Sequence, residues 1–247
     1  MPTHAAAAIV RTAKGASAAM AYEHFNEYKE QRALTNWVRV LHVVLIAMTG
    51  IGIWATILEL DLLQRLTNGG GFSSTAELQE ILDKNDARVR WTTMASLGMW
   101  IVTWIFCFVW IYRMTRNARA ISAAPMDVSP GMAVGWFFVP FINLFMPYIS
   151  LREVVRASSP LGDASDGPLA IFWFFFAARL VDVAITRYLD RSATEIPDFI
   201  LIDQLAMVGH AATILCSIFF IALTWSLTAK QRKRYVEADL HRQPSQG

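Results

Sequence analysis

Residues 40–58, VLHVVLIAMTGIGIWATIL, contain no charged side chain. Three further stretches, 91–112, 128–151 and 204–229, also lack one. Each stretch is about 19 residues or longer, and a helix of that length crosses a hydrocarbon core roughly 30 Å thick. Charged residues make up 17% of the chain, whereas soluble domains contain roughly 25%. The sequence therefore predicts an integral membrane protein.

The predicted fold is all-α and is built around a bundle of four membrane-spanning helices. Tryptophan and tyrosine side chains lie near the ends of the apolar stretches, where amphipathic rings favour the headgroup region. The stretch that begins at Pro168 is also apolar, although Arg179 and Asp182 interrupt it. The spans are expected at about these positions: 37–58, 91–112, 168–188 and 204–229.

These spans divide the chain into three parts. Residues 1–36 form a tail in which residues 17–34 have an amphipathic helical pattern, residues 37–229 form the transmembrane domain, and residues 230–247 form a basic tail. Fifteen lysine and arginine residues lie in the two tails and in the loop after span two, whereas six lie in the two remaining loops. The positive-inside rule therefore places both termini in the cytoplasm.

The charge-free stretch 128–151 does not have the pattern of a simple span. Pro140 and Pro147 would each remove a helical hydrogen bond, and a fifth span would move the basic residues 230–234 to the outside. We expect a proline-broken, re-entrant or interfacial helical hairpin between spans two and three, on the cytoplasmic face. Irregular backbone at membrane depth needs protein or water around it, so the hairpin should pack against the spans. A fifth, kinked span is the alternative.

The loop between spans one and two contains a signal for the start of a helix. Ser74 and Glu77 have the spacing of a capping box, and Leu78, Ile81 and Leu82 form a short apolar stripe after it. The pattern predicts a short surface helix that lies on the bundle.

The segment after span two and the proline-rich stretch contain a motif of spaced polar, proline, glycine and tryptophan residues. The motif residues are Arg113, Arg116, Asn117, Arg119, Pro130, Gly131, Trp136, Pro140, Asn143, Pro147, Arg152 and Glu153. Their spacing resembles that of the bacterial family called domain of unknown function 4328. The resemblance is strongest over 113–158 and continues more loosely to the end of span four. It implies a bacterial membrane domain with several spans and no established activity, so no catalytic residue is carried over.

Arg113, Arg116 and Arg119 follow span two at intervals of three residues. We expect these arginines to fix the topology and to contact anionic headgroups, at about 1 kcal/mol each. In a second hypothesis, Arg116 and Asn117 bind backbone carbonyls of the hairpin and lock it in place. Nucleic-acid binding is not expected, because the basic residues lie at membrane edges with no soluble domain behind them.

Arg179 and Asp182 lie near the middle of the third span, where a lone charge costs on the order of 2.5–3.5 kcal/mol. Their spacing of three places them on one helical face, so they can pair. His210 is expected at a depth similar to that of Asp182. One interpretation is a buried pair that pins span three against its neighbours. The other is an intramembrane ion or proton site that includes His210.

No cofactor and no metal are predicted. Cys107 and Cys216 both lie inside apolar stretches, which argues against a disulfide framework and a zinc site. His42 and His210 would differ in depth by roughly 14 Å, too far to share one haem iron. The chain shows no phosphate loop, no catalytic triad order and no metalloprotease spacing.

The sequence thus favours a non-enzymatic structural or regulatory membrane module that presents residues 113–158 to the cytoplasm. The alternative is a small ion or proton-coupled transporter or channel that uses Arg179, Asp182 and His210. An enzyme is the least favoured class. The expected partners are the lipid bilayer and its anionic headgroups, while a homo-oligomer or another membrane protein stays open.

Overall fold

The structure is a computed structural model that describes residues 25–69, 72–122, 125–160 and 165–242. In these ranges the chain consists of helices and short connections, and it contains no strand. Three short 3₁₀ turns lie at Phe25–Glu27, Trp136–Phe138 and Ile142–Leu144. The helices of the described ranges are α1 Arg32–Thr67, α2 Thr75–Ile121, α3 Pro130–Gly135, α4 Met146–Ser158, α5 Gly167–Asp190 and α6 Ile196–Arg242.

Helices α1, α2, α5 and α6 are each long and apolar enough to cross a membrane. Each contains one of the four predicted spans. The bent pair Pro130–Phe138 and Ile142–Ser158 would raise the number to five if it formed one span. The prediction of an all-α chain with four long apolar helices is therefore confirmed for the described residues.

The prediction of a separate, short surface helix after Ser74 is wrong. The capping box is present, because the backbone N–H of Glu77 donates to Ser74 Oγ (3.2 Å) and the Glu77 carboxylate accepts from the N–H of Ser73 (2.7 Å). It begins α2, which continues without a break for 47 residues. The polar first turns run directly into the apolar stretch because no glycine or proline lies between Thr75 and Trp91.

Helix α6 continues beyond the predicted span to Arg242, because no helix-breaking residue interrupts this part of the sequence. Its residues 230, 231 and 234 are buried. Residues 17–24 of the amphipathic pattern at 17–34 lie outside the described residues, and residues 25–34 form a 3₁₀ turn, a connection without regular secondary structure and the start of α1.

The proline-rich stretch, here called the hairpin, forms two helical arms with a bend between them. Ser129 is the N-cap of α3, where its Oγ accepts from the N–H of Met132 (3.2 Å), and Pro130 occupies the first helical position. The two arms meet at an angle of 117°. At the bend, Phe141 has a φ of 61°, a left-handed conformation that is strained for a bulky residue. Phe141 is also 84% exposed.

The chain divides into two compact units, and four of its helices contribute residues to both. Unit 1 contains the described residues of Met1–Asn36, Cys107–Ala170 and Ala222–Gly247. Unit 2 contains Trp37–Phe106 and Ile171–Ile221.

Unit 1 has a core with several buried polar side chains. Gln231 of α6 is 1% exposed, and its Nε2 donates to the carbonyl of Met114 (2.8 Å) and to Ser158 Oγ (3.1 Å). Its Oε1 accepts from Asn117 Nδ2 (3.4 Å). Helices α2, α4 and α6 therefore meet at one buried amide.

Unit 2 is held together mainly by aromatic contacts. Trp104 of α2 packs on Phe176 of α5, with ring centroids 5.3 Å apart. Phe172 of α5 makes an edge contact with Phe220 of α6 at 5.0 Å. His42 of α1 stacks on the same Phe220 at 4.7 Å. Apolar side chains of these helices thus form the contacts between the helices, and other apolar side chains lie on the outer surface.

We expect Gln231→Leu to lower the stability of the full-length protein in detergent by about 1–3 kcal/mol, because Asn117 and Ser158 each lose a buried partner. Thermal unfolding measures this as a lower Tm. The control is Gln79→Leu, which removes an exposed amide that donates to Asp83 and should change stability by less than about 0.5 kcal/mol. Equal Tm values for the two variants would contradict the role given to Gln231.

Candidate functional site

The motif side chains at the end of α2 hold the chain segment that precedes α1. Arg113 Nη1 donates to Gln31 Oε1 (2.7 Å), and Arg116 forms an ion pair with Glu27 (3.0 Å). Asn117 is buried and pairs with both backbone groups of Lys29. Its Nδ2 donates to the carbonyl (2.8 Å), and its Oδ1 accepts from the N–H (3.2 Å).

Two further motif residues of opposite charge, Arg119 and Glu153, bind the backbone of residues 126–128, the entrance to the hairpin. Arg119 Nη1 donates to the carbonyls of Met126 (3.1 Å) and Val128 (3.0 Å). Glu153 Oε1 accepts from the N–H groups of Asp127 (2.7 Å) and Val128 (3.4 Å). A cation thus satisfies the carbonyls of this segment, and an anion satisfies its amides.

The hypothesis that Arg116 and Asn117 bind the carbonyls of the hairpin is wrong. Both side chains contact the segment before α1, and Arg119 binds the carbonyls instead. The reason is helical geometry, because Arg119 lies beyond Arg116 by nearly one turn and points towards the chain that leaves α2. The sequence offered one signal for the role of Glu153 at the hairpin entrance, because its charge is opposite to that of Arg119.

The remaining motif residues shape the hairpin. Arg152 Nε donates to Asp166 Oδ2 (2.8 Å), just before α5 begins. Pro147 lies in the first turn of α4, where its missing N–H costs nothing. Pro140 lies at the bend, and Asn143 forms part of the next 3₁₀ turn. Trp136 has a buried Nε1 without a partner among the described residues, and nothing lies near Gly131.

Burial also affects the segment held by the motif. Burial of Tyr28 raises the pKa of its hydroxyl above the usual range, and the negative charge of Glu30 raises this pKa further. Tyr28 therefore remains neutral throughout the physiological range. The motif site offers two arginines, an amide and aromatic rings, which suit the binding of backbone and carboxylate groups rather than acid–base catalysis.

In unit 2, Arg179 and Asp182 form the ion pair that their spacing predicts. Arg179 Nη1 lies 2.6 Å from Asp182 Oδ2, and Arg179 Nε donates to Thr213 Oγ1 of α6 (3.1 Å). The Asp182 side chain is 11% exposed and that of Arg179 is 37% exposed. The aspartate fits beside α6 only because position 209 is glycine, since a Cβ there would collide with the carboxylate.

His210 lies next to this pair on α6. Arg179 is near enough to interact with it electrostatically. A Cβ at Gly52 of α1 would lie 3.1 Å from His210 Cε1, so the imidazole packs against the backbone of α1. The structure thus brings Arg179, Asp182 and His210 together, and the functional role of this cluster remains a proposal.

The histidine of α1 is part of the core of unit 2. His42 Nδ1 lies 2.8 Å from the carbonyl of Val38, one helical turn earlier, and the ring stacks on Phe220. Among the residues that the structure describes, no group of three or more histidine, cysteine or acidic side chains is placed to hold a metal ion.

Comparison with known families identifies the chain. The model of a domain of unknown function, DUF4328, matches residues 73–229. The chain belongs to this family. No curated protein and no solved structure matches it. The resemblance to this family is therefore confirmed, and the matched range contains the whole of 113–158. Lys29 and Gln231, which bind the DUF4328 residue Asn117, both lie outside the matched range.

Sequence reasoning missed a polar cluster in unit 2 of this DUF4328 protein. Glu59 of α1 lies close to Asn85 and Arg88 of α2, and Arg88 donates to Asn85. Asp203 of α6 lies near enough to Glu59 for the two carboxylates to repel each other. Asp203 Oδ2 is buried and has no hydrogen-bond partner in the described ranges. Charges at the ends of apolar stretches are common, so sequence gave no reason to single these out.

For the pair of Arg179 and Asp182, we expect Arg179→Ala to lower Tm more than Asp182→Ala, because Arg179→Ala leaves the less exposed charge unpaired. The double variant should recover part of the loss. The matched control is the exposed pair Asp61 and Arg65, whose removal should cost less than about 1 kcal/mol. Thermal unfolding in detergent separates these cases, and strictly additive effects at Arg179 and Asp182 would argue against coupling.

Proposed function

We propose that this DUF4328 protein is a multi-pass protein of the bacterial cytoplasmic membrane, spanned by α1, α2, α5 and α6. At most 28% of the residues in the apolar window of each helix are buried. Large apolar side chains such as Trp54, Trp91 and Phe174 cover the outside of unit 2. Exposed apolar patches of this extent are unfavourable in water but favourable against lipid.

We further propose that both termini and the hairpin lie on the cytoplasmic side. The excess of lysine and arginine in the tails and in the loop after α2 supports this orientation. Phe138, Phe141 and Phe145 are exposed around the bend of the hairpin. An apolar tip above a base that carries Arg113, Arg116 and other arginines fits insertion into the cytoplasmic leaflet, with the arginines at anionic headgroups.

In this arrangement the protein acts as a non-enzymatic structural or regulatory module. The observation that carries this proposal is the use of the family motif. Arg113, Arg116, Asn117, Arg119 and Glu153 each bind another segment of the same chain. Side chains used in this way fix the cytoplasmic surface of the protein. A homo-oligomer or another membrane protein is the kind of partner that such a surface would serve.

Labelling of single cysteines with an impermeant maleimide tests the topology. In a background with Cys107→Ser and Cys216→Ser, we expect Ser73→Cys and Ala193→Cys to react in intact cells. Ala164→Cys and Ser245→Cys should react only after the membrane is permeabilised. Outside labelling at the last two positions would mean that the hairpin crosses the membrane as a fifth span.

The second candidate function is ion or proton transport. The observation that favours it is the contact of Arg179 with Asp182 and Thr213 beside His210. Paired intramembrane charges occur both in ion pathways and in structural contacts between helices. The exposure of the arginine is compatible with either use.

Flux measurements in proteoliposomes distinguish the two candidates. With a pH-sensitive dye inside and a proton gradient imposed, the module proposal predicts no flux above that of protein-free vesicles. A flux that disappears in Asp182→Asn and persists in the exposed control Asp61→Asn would establish the transport candidate instead. The amide replacement keeps the shape of the side chain and removes only its charge.

A further inference from the structure

Residues 25–31 lie across the motif face of α2 as a strap. Asn117 binds Lys29 of the strap through both its N–H and its C=O. An amide side chain that pairs with both backbone groups of one residue imitates the hydrogen bonding of a neighbouring strand. This is how proteins recognise an extended peptide independently of its side chain at that position.

Aromatic side chains anchor the other end of the strap on α6. Tyr235 is stacked between Phe25 and Tyr28, with ring centroids 4.8 Å and 4.4 Å apart and interplanar angles of 11° and 22°. Phe25 is only 5% exposed. The aromatic pair therefore fixes the register of the strap, and Asn117 fixes its backbone four residues after Phe25.

The polar contacts along the strap are solvent-exposed. Arg116 and Glu27 have side chains that are 51% and 43% exposed, and the bond between Arg113 and Gln31 is also exposed. Pairs of this kind contribute about 0–1 kcal/mol each. They select an acidic or amide side chain at these positions without fixing the strap permanently.

The second half of the strap lies outside the helices. Residues 28–31 have no regular secondary structure. Segments bound chiefly through side chains and exposed contacts open at a lower free energy than the helices around them. The strap is therefore attached in the manner of a bound ligand rather than as part of the helical framework.

We propose that Arg113, Arg116, Asn117 and Tyr235 form a docking site for a peptide that begins with a 3₁₀ turn and continues without regular secondary structure, and that the strap is its intramolecular ligand. The peptide it accepts has the pattern of FNEYKEQ, residues 25–31: two aromatic residues that enclose Tyr235, an acidic residue for Arg116 and a polar residue for Arg113. Release of the strap uncovers the three motif side chains. The inference stands on contacts within unit 1 and does not depend on the membrane topology.

Binding of a peptide in trans tests the docking site in the full-length protein in detergent. The probe is fluorescein-labelled FNEYKEQ, followed by fluorescence anisotropy. The receptor is a strap variant with Phe25→Ala, Glu27→Ala and Tyr28→Ala, in which the intramolecular ligand is weakened. Because a tethered ligand competes at an effective concentration in the millimolar range, we expect this variant to bind the peptide at least about tenfold more tightly than the wild type does.

Two controls connect the binding to the proposed contacts. Asn117→Leu in the strap variant should reduce peptide affinity by at least about tenfold, whereas Asn68→Leu, at an exposed asparagine, should not change it. A peptide with Ala, Lys and Ala in place of Phe25, Glu27 and Tyr28 should not bind. Equal affinity of the wild type and the strap variant, or no effect of Asn117→Leu, would overturn the proposal.

A second measurement keeps the wild-type strap. A spin label at Glu30→Cys, in the background with Cys107→Ser and Cys216→Ser, reports the mobility of the strap by electron paramagnetic resonance. We expect the label to become mobile when unlabelled FNEYKEQ is added at millimolar concentration, and also in Asn117→Leu. A label that stays equally immobile in both cases would show that the strap is a fixed part of the fold, which contradicts the proposal.

Discussion

Asn117 and Gln231 place two amide side chains in the interior of unit 1, where polar atoms must find partners within the protein. Gln231 satisfies this requirement through Met114 and Ser158, and Asn117 through Lys29. The weak bond between the two amides joins these sets into one network. Helices α2, α4 and α6 are thereby fixed relative to one another inside unit 1, and the strap binds to this network at Asn117. The contacts of the hairpin entrance are built on α2 and α4.

The need of polar atoms for partners also applies to the backbone of the hairpin. Its entrance is a segment without regular secondary structure, so its carbonyls and amides need side-chain partners. Arg119 and Glu153 supply them with opposite charges. The bend carries the exposed aromatic residues Phe138, Phe141 and Phe145, and Phe141 is strained. Arg119 and Glu153 fix the start of the first arm, and Phe108 of α2 packs on Phe137 and Phe138 at its end.

Sequence patterns predicted the parts of the structure that depend on local composition. Three of the four apolar helices follow from charge-free stretches, and α5 follows from the apolar residues around Arg179 and Asp182. The bend follows from Pro140 and Pro147, and the contact of Arg179 with Asp182 follows from their spacing. The partner of Asn117 could not be predicted in this way, because Lys29 lies 88 residues away and the contact depends on tertiary packing. Gln231 had the surroundings of a solvated basic tail, and only the packing of α6 makes it buried.

The most direct test of the account is hydrogen exchange of the full-length protein in detergent, read by mass spectrometry. The central claim is that motif side chains hold backbone groups of defined segments. Glu153→Leu should accelerate exchange at Asp127 and Val128 but not at Lys29, and Asn117→Leu should do the reverse. Unchanged exchange at these amides, or a uniform acceleration across both segments in either variant, would contradict the claim.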